Sequence, residues 1–518
     1  MVYITLKDNI HLKIDCDRLI INEISEHFSY FVDGFKFTPQ YKSGSWDGKI
    51  KFLKGDVLAF GLLFDLIKFL KKKGYKTVVA DEVKQLFNLS SNKWNLDNLN
   101  LIPRDYQTES INKMKQFSRG IIESCTGSGK SLVIGYVLNN LLQFEGIKKV
   151  LIVVPTTSLI LQFKDDLMSY GINEDLIGQL YAEKKEYDKS IVISTWQSLV
   201  YDYVNKRNGE IKKLHSVLRK KLSVKERDKN TSRLELLLSD DYRQMTKDKT
   251  QVILDFLNSV DCVFIDETHT VKAQQLQGLL QKLDHVNWRF GCTGTLPDSK
   301  IDLMGVKSYI GEVIHNVTVK DLTDRGYLNK CIVEVNKINY HNDFVGTLNE
   351  VKDNVFANKF RLLLIKQWLS DIGNDNSLIL VGKIEKEGKL LERELQEYFP
   401  DKQIKFIHGG ISTKIREEWR QKCINQDNVI IIAVYALFQA GINIPNLSHI
   451  IFASSYKAKI RTLQSIGRSL RKIQNKGTST VIDIVDMNNK FLSKHGNERM
   501  KFYKKEGFEI EINKFKEY

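Results

Sequence analysis

Cysteine is scarce and scattered in this chain. Cys16, Cys125, Cys262, Cys292, Cys331 and Cys423 occur singly, with no C-x-x-C pair. That spacing speaks against a zinc site and against a redox dithiol. Several of the six stand inside apolar runs and read as reduced core thiols, which points to a cytosolic compartment. Long hydrophobic runs are missing too. The greasiest stretch, residues 429–438, has strand length, well short of the ~18–20 residues a membrane span requires. Charge at Lys7 and Asp8 interrupts the first residues, so no signal peptide is expected. No short-period repeat is visible.

What is present is a long basic chain. Its 518 residues suit about three domains, and 42% hydrophobic residues exclude global disorder. A net charge of +15 favours a polyanionic partner such as nucleic acid. A merely soluble basic protein is the alternative reading.

Residues 124–131 read Ser-Cys-Thr-Gly-Ser-Gly-Lys-Ser, between a short apolar approach and an apolar helical stretch. A triphosphate must be approached closely by backbone N–H groups, hence Gly127 and Gly129. A helix starting near Lys130 aims its positive end at the phosphates. The Lys130 ammonium can reach the terminal phosphates, and the Ser131 hydroxyl can hold Mg2+. Ser124 stands where the pattern has glycine, and a small residue still permits the turn. An ordinary glycine-rich loop is the bland alternative.

The second decisive stretch is residues 260–269, an apolar strand ending in Asp266-Glu267-Thr268-His269. One carboxylate can anchor a Mg2+ shell while its neighbour orients the attacking water. Twin acids at a strand end also suit plain surface. His269 can couple this site to Thr293 and Thr295, which follow the strand-like Arg289-Phe290-Gly291-Cys292. Late in the chain, Gln464, Gly467, Arg468 and Arg471 share a helical spacing. Planar guanidinium groups suit the charge that builds on a transferring phosphoryl.

Other features are weaker alone. Gln107, upstream of the glycine-rich loop, can read an adenine edge through its amide; by itself it would be an exposed residue at a helix start. Thr156 and Thr157 follow the apolar run 150–155, and Thr195, Trp196 and Gln197 follow the run 191–194. Hydroxyls there suit a sugar–phosphate backbone or a plain helix cap. Residues 1–98 read as a small α+β module, with a hairpin turning at Asp8-Asn9, strand-like residues 28–37, a second hairpin near Trp46 and a helix over 62–73. Its aromatic and basic residues interleave around Tyr41, Lys42, Trp46, Lys49 and Lys51, as in strand-stacking surfaces or an ordinary aromatic core with solvated lysines. Residues 90–95 look like linker. Residues 203–256 are densely charged with leucines at helical spacing, and read as an inserted helical element or hairpin. A second alternation of strands and helices begins near Val333 and implies a parallel sheet.

The order of these motifs resembles a superfamily 2 helicase of the DExH type over about residues 100–485, and within it the recombination helicases of tailed phages. The resemblance implies an α/β fold with two RecA-like parallel-sheet domains in tandem behind a small N-terminal α+β domain. The expected bounds are 1–98 for a nucleic-acid-binding domain, 99–325 and 326–486 for the two RecA-like domains, and 487–518 for a basic extension. ATP and Mg2+ are the implied cofactors. Lys130, Asp266, Glu267, Arg468 and Arg471 would be catalytic. Arg104, Gln107, Thr126, Gly127, Ser128, Gly129, Lys130, Ser131, Gly441, Asn443 and Gln464 would bind the nucleotide, with Ser131 and Asp266 on the metal. Thr156, Thr157, Thr195, Trp196, Gln197, His408 and Gly409 would touch nucleic acid. Val434 stands where the family has a hydroxyl, and the 203–256 insertion is long.

The implied activity is ATP-driven unwinding of branched DNA, including Holliday junctions, stalled forks and R-loops with their RNA strand. It would serve recombination, repair and replication restart in the cytoplasm, a host's if phage-encoded. Recombination and single-strand-binding proteins are the expected protein partners, with no membrane. A restriction-system translocase, an RNA helicase and an ATP-controlled annealing factor are the rival readings.

Overall fold

The structure is a computed structural model. It describes residues 1–517 apart from 88–91, 126, 182–183, 200–202, 219–222, 273, 298, 342–345, 436–446 and 455–477. The chain divides into two compact units: Met1–Ile122 with Lys130–His315, and Glu123–Gly129 with Asn316–Tyr518.

The first unit opens with the expected hairpin. β1 (Val2–Asp8) and β2 (His11–Asp15) pair antiparallel. The alternation puts Val2, Ile4, Leu12 and Ile14 into one core. β3 (Ser29–Phe31) pairs with β4 (Lys49–Lys51) as a separate ribbon. The second hairpin expected near Trp46 is therefore a longer-range pairing, and Phe35–Phe37 is a single 3-10 turn rather than strand. β5 (Val57–Ala59) and β6 (Thr77–Val79) flank the hairpin in the order β5-β2-β1-β6. The Leu63–Lys72 helix closes this core with Leu63, Leu66, Phe69 and Leu70.

The expected linker is partly structural. Trp94 is buried, its indole N–H donates to Glu145 at 2.8 Å, and it joins the core of the following domain. That domain holds β7 (Arg119–Ser124), β8 (Val150–Val154), β9 (Ile177–Tyr181), β10 (Lys184–Lys185), β11 (Ile191–Thr195), β12 (Cys262–Asp266), β13 (Trp288–Thr293) and β14 (Val313–Val317). Their order is β10-β9-β11-β8-β12-β13-β7-β14. The pairings of β11 with β9 and β8, and of β12 with β8 and β13, are parallel. β8 and β11 are buried throughout because helices cover both faces of such a sheet. The charged insertion is three helices, Tyr203–Leu218, Val224–Leu238 and Asp240–Asn258, where a hairpin was one expectation. Ile253, Phe256 and Leu257 of the last one enter the core.

The second unit carries β15 (Cys331–Asn339), β16 (Ser377–Val381), β17 (Gln403–Ile407), β18 (Val429–Val434), β19 (His449–Phe452), β20 (Ser479–Asp486) and β21 (Glu509–Lys516). They stand in the order β17-β18-β16-β19-β20-β15-β21, with every pairing parallel. The Lys490–Glu506 helix and β21 make the basic tail part of this sheet. Arg499 and Asp483, both buried, bridge at 2.7 Å to tie that helix to β20. All six cysteines are free thiols, and burial pushes those of Cys331 and Cys423 up to about 12. Among the described residues no helix is long and apolar enough to cross a membrane.

Candidate nucleotide and nucleic-acid sites

The glycine-rich loop sits where its sequence puts it, between the end of β7 at Ser124 and the helix Lys130–Phe144. Gly127 and Gly129 have φ of +89° and +74°. That left-handed backbone costs other residues roughly 1–2 kcal/mol each, so the loop is built for glycine. Ser128 is buried in it, and Thr126 lies outside the described residues. Lys130 and Ser131 form the first turn of the helix, where unsatisfied N–H groups and the helix dipole favour an anion.

Asp266 ends β12, two strands from β7 in the sheet. Burial and then the charge of Glu267 push its carboxyl up to about 7, against the opposing pull of Lys130. Glu267 faces the same burial. The hydrogen bond from His269, the charge of Lys130 and the Thr293 hydroxyl outweigh it and hold Glu267 below the usual carboxylate range. The two adjacent acids are thus driven apart in acidity. His269 Nδ1 lies 3.3 Å from Glu267 Oε2 and 3.2 Å from Thr293 Oγ1. Thr293 donates to the Thr295 carbonyl at 2.8 Å. The acidic stretch and the Thr293–Thr295 turn therefore form one hydrogen-bonded unit. Glu267 adopts φ +51°, a strained conformation for a non-glycine residue.

Two supports carried no local sequence signal. Thr268 donates to the Ile265 and Cys292 carbonyls, and a Cβ on Gly291 would come within 2.5 Å of Thr268 Oγ1. Glycine at 291 is what lets β13 approach. Tyr170, after the Thr157–Ser169 helix, places its hydroxyl 2.8 Å from Ser131 Oγ.

Gln107 is buried rather than exposed. Its side-chain oxygen accepts from the Arg104 N–H at 2.9 Å, at the start of the Asp105–Phe117 helix. Arg104 itself is exposed and donates to Tyr106 Oη at 3.2 Å.

The nucleic-acid candidates of the first unit come together. Val154 and Thr195 are register partners in parallel strands, so Thr156 and Thr157 beyond β8 neighbour the Trp196–Leu199 turn beyond β11. Thr157 and Gln197 are exposed. Thr195 is buried and its hydroxyl caps that turn, accepting from the Ser198 N–H at 3.3 Å. In the second unit His408 and Gly409 follow β17, and His408 Nδ1 accepts from the Gly410 N–H at 3.2 Å. Gly441, Asn443, Gln464, Arg468 and Arg471 lie outside the described residues.

Three family models match the chain in sequence order. Residues 2–80 match the family described as DNA helicase UvsW, N-terminal. Residues 100–298 match Type III restriction enzyme, res subunit, and residues 361–472 match the helicase conserved C-terminal domain. The ATP-dependent DNA helicase uvsW of Enterobacteria phage T4 is 25% identical over 540 aligned positions, covering 96% of each chain. Two solved structures share the fold. The ATP-dependent Type ISP restriction-modification enzyme LlaBIII bound to DNA has TM-score 0.52 at 13% identity, over 87% of this chain and 34% of that one. The DUF1998 helicase MrfA bound to DNA has TM-score 0.50 at 15% identity, over 79% of this chain and 49% of that one. The two sheets are RecA-like domains behind a UvsW-type leading domain. The chain belongs to the superfamily 2 helicases and is a UvsW-like ATP-dependent DNA helicase.

Proposed function

We propose that this helicase works on branched DNA, moving Holliday junctions, regressing stalled forks and unwinding R-loops during recombination, repair and replication restart. The observation that carries this reading is the leading domain. It matches the UvsW N-terminal family, and it is clamped to the first RecA-like domain through Lys307, 3.0 Å from Asp65 and 2.7 Å from Glu312. A motor that carries such a module rigidly can hold one arm of a junction while it pulls another. The restriction-enzyme match spans residues 100–298, within the first RecA-like domain, and leaves out the leading domain.

The residues fit Mg2+ and ATP. Ser131 and Asp266 offer hard oxygen donors, and Mg2+ uses one or two such groups while keeping several waters. Bound Mg2+ would supply charge that offsets the negative charge developing on the transferred phosphoryl. In this reading Gly127 to Gly129 cradle the phosphates with backbone N–H groups, Thr126 adds to that loop, and Lys130 pairs with the terminal oxygens. Arg104 and Gln107 recognise the base. Glu267, kept ionised by His269, accepts a proton from the attacking water and fixes its line of approach. Arg468 and Arg471 stabilise the transferring group, and Gly441, Asn443 and Gln464 complete the nucleotide set. Thr156, Thr157, Thr195, Trp196, Gln197, His408 and Gly409 hold the strand, so hydrolysis is turned into stepping. Recombination or single-strand-binding proteins are the fitting partners, and the RNA met is that of R-loops.

The test is stimulation of ATP turnover by a Holliday junction, a fork, an R-loop, linear duplex and single-stranded RNA at equal nucleotide concentration. Branched DNA is expected to stimulate most. Equal or greater stimulation by RNA alone would favour an RNA helicase instead.

A further inference from the structure

A cleft of about 590 Å³ opens where the leading domain meets the first RecA-like domain. That volume lies within the usual range for a ligand site. None of the helicase motifs lines it. One wall comes from the β1–β2 hairpin, which carries Lys7, and from residues 50–59, which carry Lys54. Both are exposed and form no ion pair among the described residues, whereas neighbouring Lys51 is held by Asp47 at 2.8 Å. Phe52, half-buried, adds an aromatic side chain to the lining. The far wall is two helices, Gln274–Lys282 and Lys300–Ile310; the first presents Gln277 and Gln281, and Gln281 Nε2 donates to Tyr309 Oη of the second at 3.0 Å. Asp302 is the acidic residue of the lining.

The three chemistries answer to one ligand class. Free lysines suit a phosphate, a flat apolar surface suits a base, and carboxamides suit the hydrogen-bonding edge of an unpaired base. The surroundings favour a strand over a free nucleotide. The β3–β4 ribbon leads away from the cleft and carries Phe31, 53% exposed, with Lys49 5.0 Å from its ring centroid. Phe35 stacks on Phe31 at 4.6 Å, and Phe37 beyond it is 82% exposed. Exposed rings among lysines offer neighbouring nucleotides a stacking surface.

We propose that this cleft receives an unpaired nucleotide of the DNA strand, and that the ribbon stacks the nucleotides beside it. The leading domain then reads single-stranded character at a branch point. The inference rests on the helicase acting on DNA and leaves the ATP site unchanged.

Gly305 gives the test. A Cβ there meets nothing nearer than Gln277 Nε2 at 3.8 Å, so Gly305→Leu places a side chain in the cleft without a clash at its root. Replacing a helical glycine should leave the melting temperature unchanged or raised. In the full-length protein without nucleotide, Gly305→Leu is expected to weaken binding of a labelled oligothymidylate about tenfold. Blunt duplex should be affected much less. The Lys7→Ala/Lys54→Ala pair should lower the slope of log affinity against log salt by about 1.4, or ~0.7 for each phosphate that is no longer neutralised. Unchanged oligonucleotide affinity in a folded Gly305→Leu, with an unchanged slope in the lysine pair, overturns the proposal. Equal weakening on duplex and single strand overturns the unpaired base. Displacement by thymidine monophosphate as potent as by the oligonucleotide overturns the strand in favour of a free nucleotide. Were Gly305→Leu to unfold, the lysine pair decides alone.

Discussion

Ser131 and Tyr170 hold each other by their hydroxyls at 2.8 Å, across 39 positions of sequence. The hydroxyl proposed for the metal is thus engaged by a phenol. Metal binding must compete with that hydrogen bond, worth about 1 kcal/mol net. Tyr170→Phe is therefore expected to lower, by a few fold, the Mg2+ concentration that half-saturates binding of a fluorescent ATP analogue. A raised half-saturating Mg2+ concentration would mean that Tyr170 orients Ser131 for the metal.

His269 should matter through Glu267. Its hydrogen bond favours the ionised Glu267, alongside Lys130 and Thr293 and against burial. Removing it raises the Glu267 pKa, so the base is protonated at higher pH. His269→Ala is expected to move the acid limb of the ATP turnover profile upward and to cut the plateau by about tenfold to a hundredfold. A lowered plateau with an unmoved limb would give His269 a purely structural part.

Asp266 should cost the empty enzyme stability. Its folded pKa of about 7 lies above the ~3.9 of an unfolded aspartate. Between those values the folded state binds more protons, so stability falls as pH rises and the loss is complete above about 7. Without metal and nucleotide, Asp266→Asn is expected to melt higher than the parent at pH 8, with the gap closing toward pH 4. Thermal melts across that range measure it, and a gap independent of pH would contradict the assignment.

The clamp between the leading and first RecA-like domains should be intolerant of change. Lys307 sits between Asp65 and Glu312 with its side chain only 10% exposed. Lys307→Met would leave two carboxylates facing each other, at a loss of about 3 kcal/mol. Gly61→Ala should be worse, because its Cβ would lie 1.8 Å from the Lys307 carbonyl oxygen, where backbone must move. Urea unfolding and limited proteolysis would show both effects. Parent-like midpoints would contradict the clamp.

The parts of the site carried by contiguous residues could be read from sequence, because their chemistry is local. The glycine-rich loop needs positive φ within a few residues, and Asp266-Glu267 needs a strand end. The buried strands announced themselves as apolar runs such as Val150–Val154. The missed features are pairings between distant residues. β4 joins β3 rather than its own neighbours, Trp94 is buried from a polar stretch, and Tyr170 reaches Ser131 from another helix. Gln107 was legible as an amide but not as a buried cap. The charged insertion showed helical leucines, while its third helix declares itself only by packing Phe256 and Leu257 on the sheet.

The most direct measurement records ATP turnover and strand separation together on a fluorescent Holliday junction, for the parent protein and Glu267→Gln. The account expects the parent to resolve the junction only with ATP. It expects Glu267→Gln to bind junction and nucleotide while losing both turnover and resolution, by about a thousandfold or more. Resolution that persists in Glu267→Gln, or strong DNA-stimulated turnover in the parent with no resolution of any branched substrate, would contradict it.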